Sequence, residues 1–150
     1  MKIQILFGTE SGNAELVADD MLEALCARGV EADSVDMSEG AVDLEADTFN
    51  VVVCSTHGEG ELPVGAEPFA QWLDDVKPDL CGIRYAIFGL GDSSYENYSR
   101  GSEHINERLA ALGAVAVGPY GRHDANGRDV ASDAAIAWLE DVLAATLSAT

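Results

Sequence analysis

The sequence predicts an α/β fold: a five-stranded parallel sheet with helices on both faces. Three observations predict it. Apolar patterning alternates between strand-like and helix-like segments five times along the chain. Two of the strand-like segments, 49–54 and 85–90, are near-continuous apolar runs, as strands buried on both faces require. Three loops of unusual composition follow the first, third and fourth strands, and in such sheets ligands bind outside the carboxyl ends of the strands.

Ile3-Gln4-Ile5-Leu6-Phe7 is the first strand. Over residues 13–28, Ala14, Val17, Ala18, Met21, Leu22 and Leu25 recur at helical spacing, and Gly29 ends that helix. Glu31 to Met37 forms a weaker, edge-like strand, and the acidic connection 38–47 has room for one helical turn. Phe49 to Cys54 is the third strand, followed by a Gly-rich loop from Ser55 to Gly65. Phe69, Trp72, Leu73 and Val76 mark the next helix. Tyr85 to Leu90 is the fourth strand and 91–101 a second polar loop. A helix over about 102–112 stops at Gly113, and Ala114 to Val117 is the last strand. A third loop, 118–127, leads to a final helix over about 129–147. Trp72 and Trp138 fit helix faces packed on the sheet.

With 150 residues and 47% apolar content, the chain is expected to be one domain, 1–150, with a full core. Its charge is unusual: 27 acids against 8 bases give a net of −19. Residues 1–75 hold 17 acids and 2 bases, a net of −15, and only Lys2 and Lys77 are lysines. Such acidity excludes a free-standing nucleic-acid binder and opposes docking to an anionic membrane. No apolar stretch approaches the roughly 20 residues of a membrane span, and no signal peptide precedes the first strand. A cytoplasmic location is expected. Cys26, Cys54 and Cys81 have no metal or redox spacing and are expected to be core or near-core thiols. His104 and His123 are expected at the surface.

The first loop, Gly8-Thr9-Glu10-Ser11-Gly12-Asn13-Ala14, leads into a helix N-terminus. Free N–H groups and the helix dipole make that end an anion site, and Thr9, Ser11 and Asn13 add neutral donors. The loop lacks the lysine of a Walker A motif and the Gly-x-Gly-x-x-Gly of a dinucleotide fingerprint. It suits a phosphate monoester held by hydrogen bonds alone; ordinary N-capping would use the same residue types. His57 in the second loop and Tyr95 in the third place planar rings at the ends of adjacent strands, where two rings can sandwich a flat ligand. A phosphate and a flat ring are the two ends of a mononucleotide. Glu59 and Glu61 flank His57 at two-residue spacing in a loop and read as solvated acids rather than metal ligands.

Three segments then resemble the flavodoxin-like FMN-binding proteins, most of all the FMN domains of sulfite reductase and other diflavin reductases and their small stand-alone relatives. They are Gly8-Thr9-Glu10-Ser11-Gly12-Asn13-Ala14-Glu15, Ser55-Thr56-His57-Gly58-Glu59-Gly60-Glu61-Leu62-Pro63 and Phe88-Gly89-Leu90-Gly91-Asp92-Ser93-Ser94-Tyr95. The resemblance covers nearly the whole chain and implies a three-layer sandwich with strand order 2-1-3-4-5. It implies that Thr9, Ser11, Gly12, Asn13 and Ala14 bind the FMN phosphate, with Glu10 in the same segment. Ser55, Thr56, His57, Gly58 and Gly60 would lie along the isoalloxazine. Leu90, Gly91, Asp92, Tyr95, Asn97 and Tyr98 would form the third side, with Tyr95 stacking on the ring. Asp124 falls near the ribityl chain or ring edge. No catalytic residue and no metal is implied.

The implied role is one-electron transfer between a reductase and an acceptor protein, by a monomer. The flavin supplies the electron chemistry and the protein sets its electrostatics and exposure. Carboxylates around the ring oppose added negative charge and lower its second reduction potential. Gly58 permits a backbone flip at low cost, so the Gly58–Glu59 peptide is the expected group to reorient beside the ring.

A response-regulator receiver shares the architecture, but it needs acids after strand one and an Asp ending strand three; Gly8-Thr9 and Cys54-Ser55 stand there. Three further readings compete with the carrier: an FMN-dependent NAD(P)H:quinone-type oxidoreductase, a flavin domain excised from a larger diflavin reductase, and a flavin-free adaptor. Strand one starts beside Met1 and the last helix ends without a linker, so a free short-chain carrier is expected. Glu10, Glu59, Glu61, Asp92 and Glu96 would ring the flavin edge as an acidic docking face for redox partners. Acids also cover the first helix (Glu15, Asp19, Asp20, Glu23), away from that face, so the composition is expected to reflect a salt-loving source as well.

Overall fold

The computed structural model describes residues 2–8, 13–40, 44, 48–55, 64–91, 100–117, 121–124 and 131–148. The strands are β1 (Lys2–Gly8), β2 (Ala32–Asp36), β3 (Thr48–Ser55), β4 (Arg84–Gly91), β5 (Val115–Ala116) and β6 (Gly121–Asp124). The α-helices are α1 (Asn13–Ala27), α2 (Glu67–Val76), α3 (Arg100–Ala111) and α4 (Ala131–Ser148). The strand pairings are parallel, in the order β2-β1-β3-β4-β5 that the resemblance implies, and β6 also pairs with β4.

The strand alternation builds a core on each face. Ile3, Ile5, Phe7, Val51, Val53, Ala86 and Phe88 point toward α1 and α4. Leu6, Val52, Cys54, Tyr85 and Ile87 point toward α2 and α3. Helix α1 buries Ala14, Val17, Ala18, Met21 and Leu25, one stripe at helical spacing, while Glu15, Leu16, Asp19, Asp20 and Glu23 are exposed. It ends in a Schellman motif. Gly29 has φ 77°, its N–H donates to the Cys26 carbonyl, and the Val30 N–H donates to the Leu25 carbonyl. Gly113, at φ 103°, ends α3 with the same pair of bonds. Trp138 on α4 is buried and Trp72 on α2 half-buried, as expected from their helix faces.

Three expectations are corrected. First, the connection after β2 holds a single helical turn, as expected, and it is the 3₁₀ turn Met37–Glu39, so the described residues form four βα units and not five. The side chain of Asp36 caps that turn, accepting from the Ser38 N–H at 2.8 Å, and Gly40 (φ 85°) closes it. Second, the last strand is split. β5 pairs with Arg84 and Tyr85, and β6, inside the expected third loop, pairs with Phe88 to Gly91 on the same edge of β4. Third, Cys54 is buried, but Cys26 and Cys81 are exposed. Cys26 lies off the buried stripe of α1, and Cys81 lies in a turn where the Asp79 carboxylate accepts its N–H at 3.1 Å.

A polar row crosses the sheet near the amino ends of the strands. Gln4, Asn50 and Tyr85 are register partners on β1, β3 and β4. Asn50 is 1% exposed. It accepts from Gln4 Nε2 at 3.3 Å and donates to the Arg84 carbonyl at 3.2 Å. The Tyr85 hydroxyl donates to Asn106 Oδ1 on α3 at 2.6 Å. Every member has a partner, which is the condition for keeping such groups in a core.

Candidate functional site

The register brings the carboxyl ends of four strands to one edge. Gly8 of β1 lies opposite Cys54 of β3, Ser55 of β3 opposite Leu90 of β4, and Gly91 of β4 opposite Asp124 of β6. β2 lies on one side of β1 and β3 on the other, so strand order reverses there, and this reversal opens the crevice in which doubly wound sheets bind ligands. Helix α1 starts at Asn13, shortly past the end of β1, and directs its free N–H groups and positive dipole end at that crevice. Ala14, in its first turn, is fully buried against the sheet.

Of the predicted site residues, Asn13, Ala14, Ser55, Leu90, Gly91 and Asp124 are among the described residues, and their backbones stand at this edge. Thr9, Glu10, Ser11, Gly12, Thr56, His57, Gly58, Gly60, Asp92, Tyr95, Asn97 and Tyr98 lie outside them. Cys54, beneath the edge, is fully buried, and burial pushes its thiol up to about 12. It is therefore a neutral core group and not a thiolate facing the site. Among the described residues no group of three or more His, Cys, Asp or Glu is placed to hold a metal ion, and no helix is long and apolar enough to cross a membrane.

Two close packings at this edge were not anticipated. A Cβ on Gly8 would fall 2.6 Å from the Ala66 Cβ and 2.9 Å from Met37 Sδ. A Cβ on Gly121 would fall 2.5 Å from Phe88 Cδ1 and 2.7 Å from Trp138 Cδ1, in the space between two rings whose centroids are 5.3 Å apart. The only trace of either in the sequence is a glycine, and its reason lies far along the chain.

A helix N-terminus and three strand-end loops at the reversal of a parallel sheet define a mononucleotide-binding α/β protein. Comparison with known proteins gives the family. The Flavodoxin family model matches residues 5–138, and the chain belongs to the flavodoxin family. The sulfite reductase (NADPH) flavoprotein alpha-component of Shewanella sp. (strain MR-7) is 34% identical over 145 residues, covering 95% of this chain and 23% of that protein. The mitochondrial NADP(+) pyruvate dehydrogenase of Euglena gracilis is 35% identical over 147 residues, 93% of this chain and 8% of that protein. The chain thus spans about a quarter or less of the curated relatives it matches. Among solved structures, a cysteine-to-serine mutant of flavodoxin from Pseudomonas aeruginosa superposes with a TM-score of 0.83 at 34% identity, covering 97% of this chain and 98% of that one. Proteins of this family bind FMN. The residues here fit it: an α-helix N-terminus preceded by neutral hydroxyl and amide donors for a phosphate, and open strand ends beside it for a flat ring.

Proposed function

We propose that this chain is an FMN-dependent one-electron carrier that takes electrons from a reductase and passes them to an acceptor protein. The observation that carries the reading is the convergence of the ends of β1, β3 and β4 with the N-terminus of α1 at the strand-order reversal. In this reading Thr9, Ser11, Asn13 and the first N–H groups of α1 hold the phosphate, and Ser55, Thr56, His57 and Gly58 line one side of the ring. Tyr95 covers its other face, with Leu90, Gly91, Asn97 and Tyr98 beside it. Glu10, Gly12, Gly60 and Asp92 belong to the same segments, Ala14 seats α1, and Asp124 borders the edge. FMN supplies the one-electron chemistry; the protein binds it, orients it and sets the charge around it.

Reductase and acceptor dock at the acidic edge. The carrier works as a cytoplasmic monomer. Its remaining acidity answers to salt: a net −19 self-repels at low ionic strength, and screening relieves it.

The purified protein is expected to be yellow and to release one FMN per chain on denaturation. It is expected to accept electrons from a flavoprotein reductase and deliver them to a one-electron acceptor. Sustained NAD(P)H:quinone turnover by the isolated protein would replace the carrier with a quinone oxidoreductase, and a colourless protein that takes up no FMN would make it an adaptor. The melting midpoint is expected to rise between low and molar KCl; a flat response would assign the acidity to partners alone.

A further inference from the structure

Gly8 is the last residue of β1 and is buried. The Cβ it lacks would meet the Ala66 Cβ at 2.6 Å, Met37 Sδ at 2.9 Å and the Ala66 Cα at 3.2 Å. Met37 is a flexible side chain and its sulfur can yield. The Ala66 methyl cannot, because it is fixed to the backbone with no rotamer to turn away. Ala66 is itself fully buried, at the end of the 3₁₀ turn Val64–Ala66, and is the N-cap residue of α2, whose first turn is stiffened by Pro68. Any added atom at Gly8 therefore has to move backbone, either the end of β1 or the start of α2.

Each of these is an anchor for a site segment. Chain 9–12 leaves from Gly8, and chain 56–63 arrives at Val64. Met37, in the turn after β2, completes the junction, so elements following β1, β2 and β3 meet at one point. We infer that the contact between Gly8 and Ala66 is a spacer setting the separation of the phosphate-binding and ring-binding segments, so that both are positioning residues for FMN. The inference rests on the FMN reading above and deepens it.

Titration of apoprotein with FMN, followed by quenching of flavin fluorescence, tests it, with apoprotein melting curves alongside. Gly8→Ala is expected to raise the FMN dissociation constant roughly tenfold or more, the scale of an overpacked contact. Ala66→Gly, which removes the opposing methyl and leaves a residue accepted at a helix N-cap, is expected to weaken FMN about threefold, less than Gly8→Ala does. The double variant Gly8→Ala/Ala66→Gly recovers most of the lost affinity, because the same space again holds one methyl. Should Gly8→Ala not fold, Ala66→Val thickens the contact from the other side and is expected to weaken FMN in the same direction. The inference is overturned if Gly8→Ala binds FMN like wild type, if the double variant is no tighter than Gly8→Ala, or if Ala66→Val leaves the affinity unchanged. A wild-type apoprotein that takes up no FMN overturns the FMN reading itself, and the spacer with it.

Discussion

The two ends of the sheet are built on opposite plans. The amino end is closed: Gln4, Asn50, Tyr85 and Asn106 satisfy one another across β1, β3, β4 and α3, and α1 and α3 stop there in Schellman turns. The carboxyl end borders the candidate site. Its strands finish at glycines or small polar residues (Gly8, Ser55, Gly91), and glycine backbone packs directly against neighbouring side chains at Gly8 and Gly121. One end carries stability through hydrogen bonds among fixed partners. The other brings glycine backbone close to side chains of neighbouring elements and presents the N-terminal N–H groups of α1.

Substitutions that add atoms at the carboxyl end are expected to have the largest effect. Gly121→Val would drive two methyl groups into the rings of Phe88 and Trp138, and is expected to lower stability by about 3 kcal/mol, read as a lower urea midpoint. A midpoint within a few tenths molar of wild type would show that the rings separate freely. At the closed end, Asn50→Ala removes the bond from Gln4 Nε2 and the bond to the Arg84 carbonyl, at a cost of about 2 kcal/mol. FMN affinity is expected to stay within about twofold, because the row lies at the far end of the strands. A variant that loses FMN while folding normally would break the division between the ends.

The pH response gives a smaller, graded effect. Burial raises Cys54 from 9.0 in the unfolded chain to about 12 in the folded one. Its contribution to stability is thus complete below about pH 9 and is lost progressively from there to about pH 12, at about 1.4 kcal/mol per pH unit. Cys54→Ala is expected to flatten that alkaline slope in denaturation curves; an unchanged slope would assign it to other groups, such as the buried Tyr85 hydroxyl, which burial also raises. The smallest effect is expected at Lys77, which holds a left-handed φ of 49° where α2 ends. Lys77→Gly relieves that conformation and is expected to stabilise by about 0.5 kcal/mol, visible as a small rise in Tm.

The sequence was most legible where burial is heaviest. β3 and β4 declare themselves because both faces of each are covered, and α1 because its buried stripe is regular. β6 could not be read, because Gly121-Arg122-His123-Asp124 has no apolar period and its pairing with β4 is made by backbone, which every residue shares. The 3₁₀ turn after β2 is capped by Gly40 after three residues, which fits the single turn expected there. Exposure of Cys26 was available in the helical spacing, one position off the Leu25 stripe, but composition alone favoured burial. At the site, the segments proposed to hold FMN were readable as motifs. The contacts that space them were not, since Gly8 and Ala66 are meaningful only as a pair.

The split between β5 and β6 has a consequence for how copies of this protein meet. An uninterrupted outermost strand is a template onto which another chain can add its own. Here one border of the sheet is made of runs of two and four residues, and the other, β2, is five residues long and carries Asp33 and Asp36. Among the described residues neither border offers a long, uncharged strand edge. A second copy of the chain therefore finds little edge there on which to add a strand.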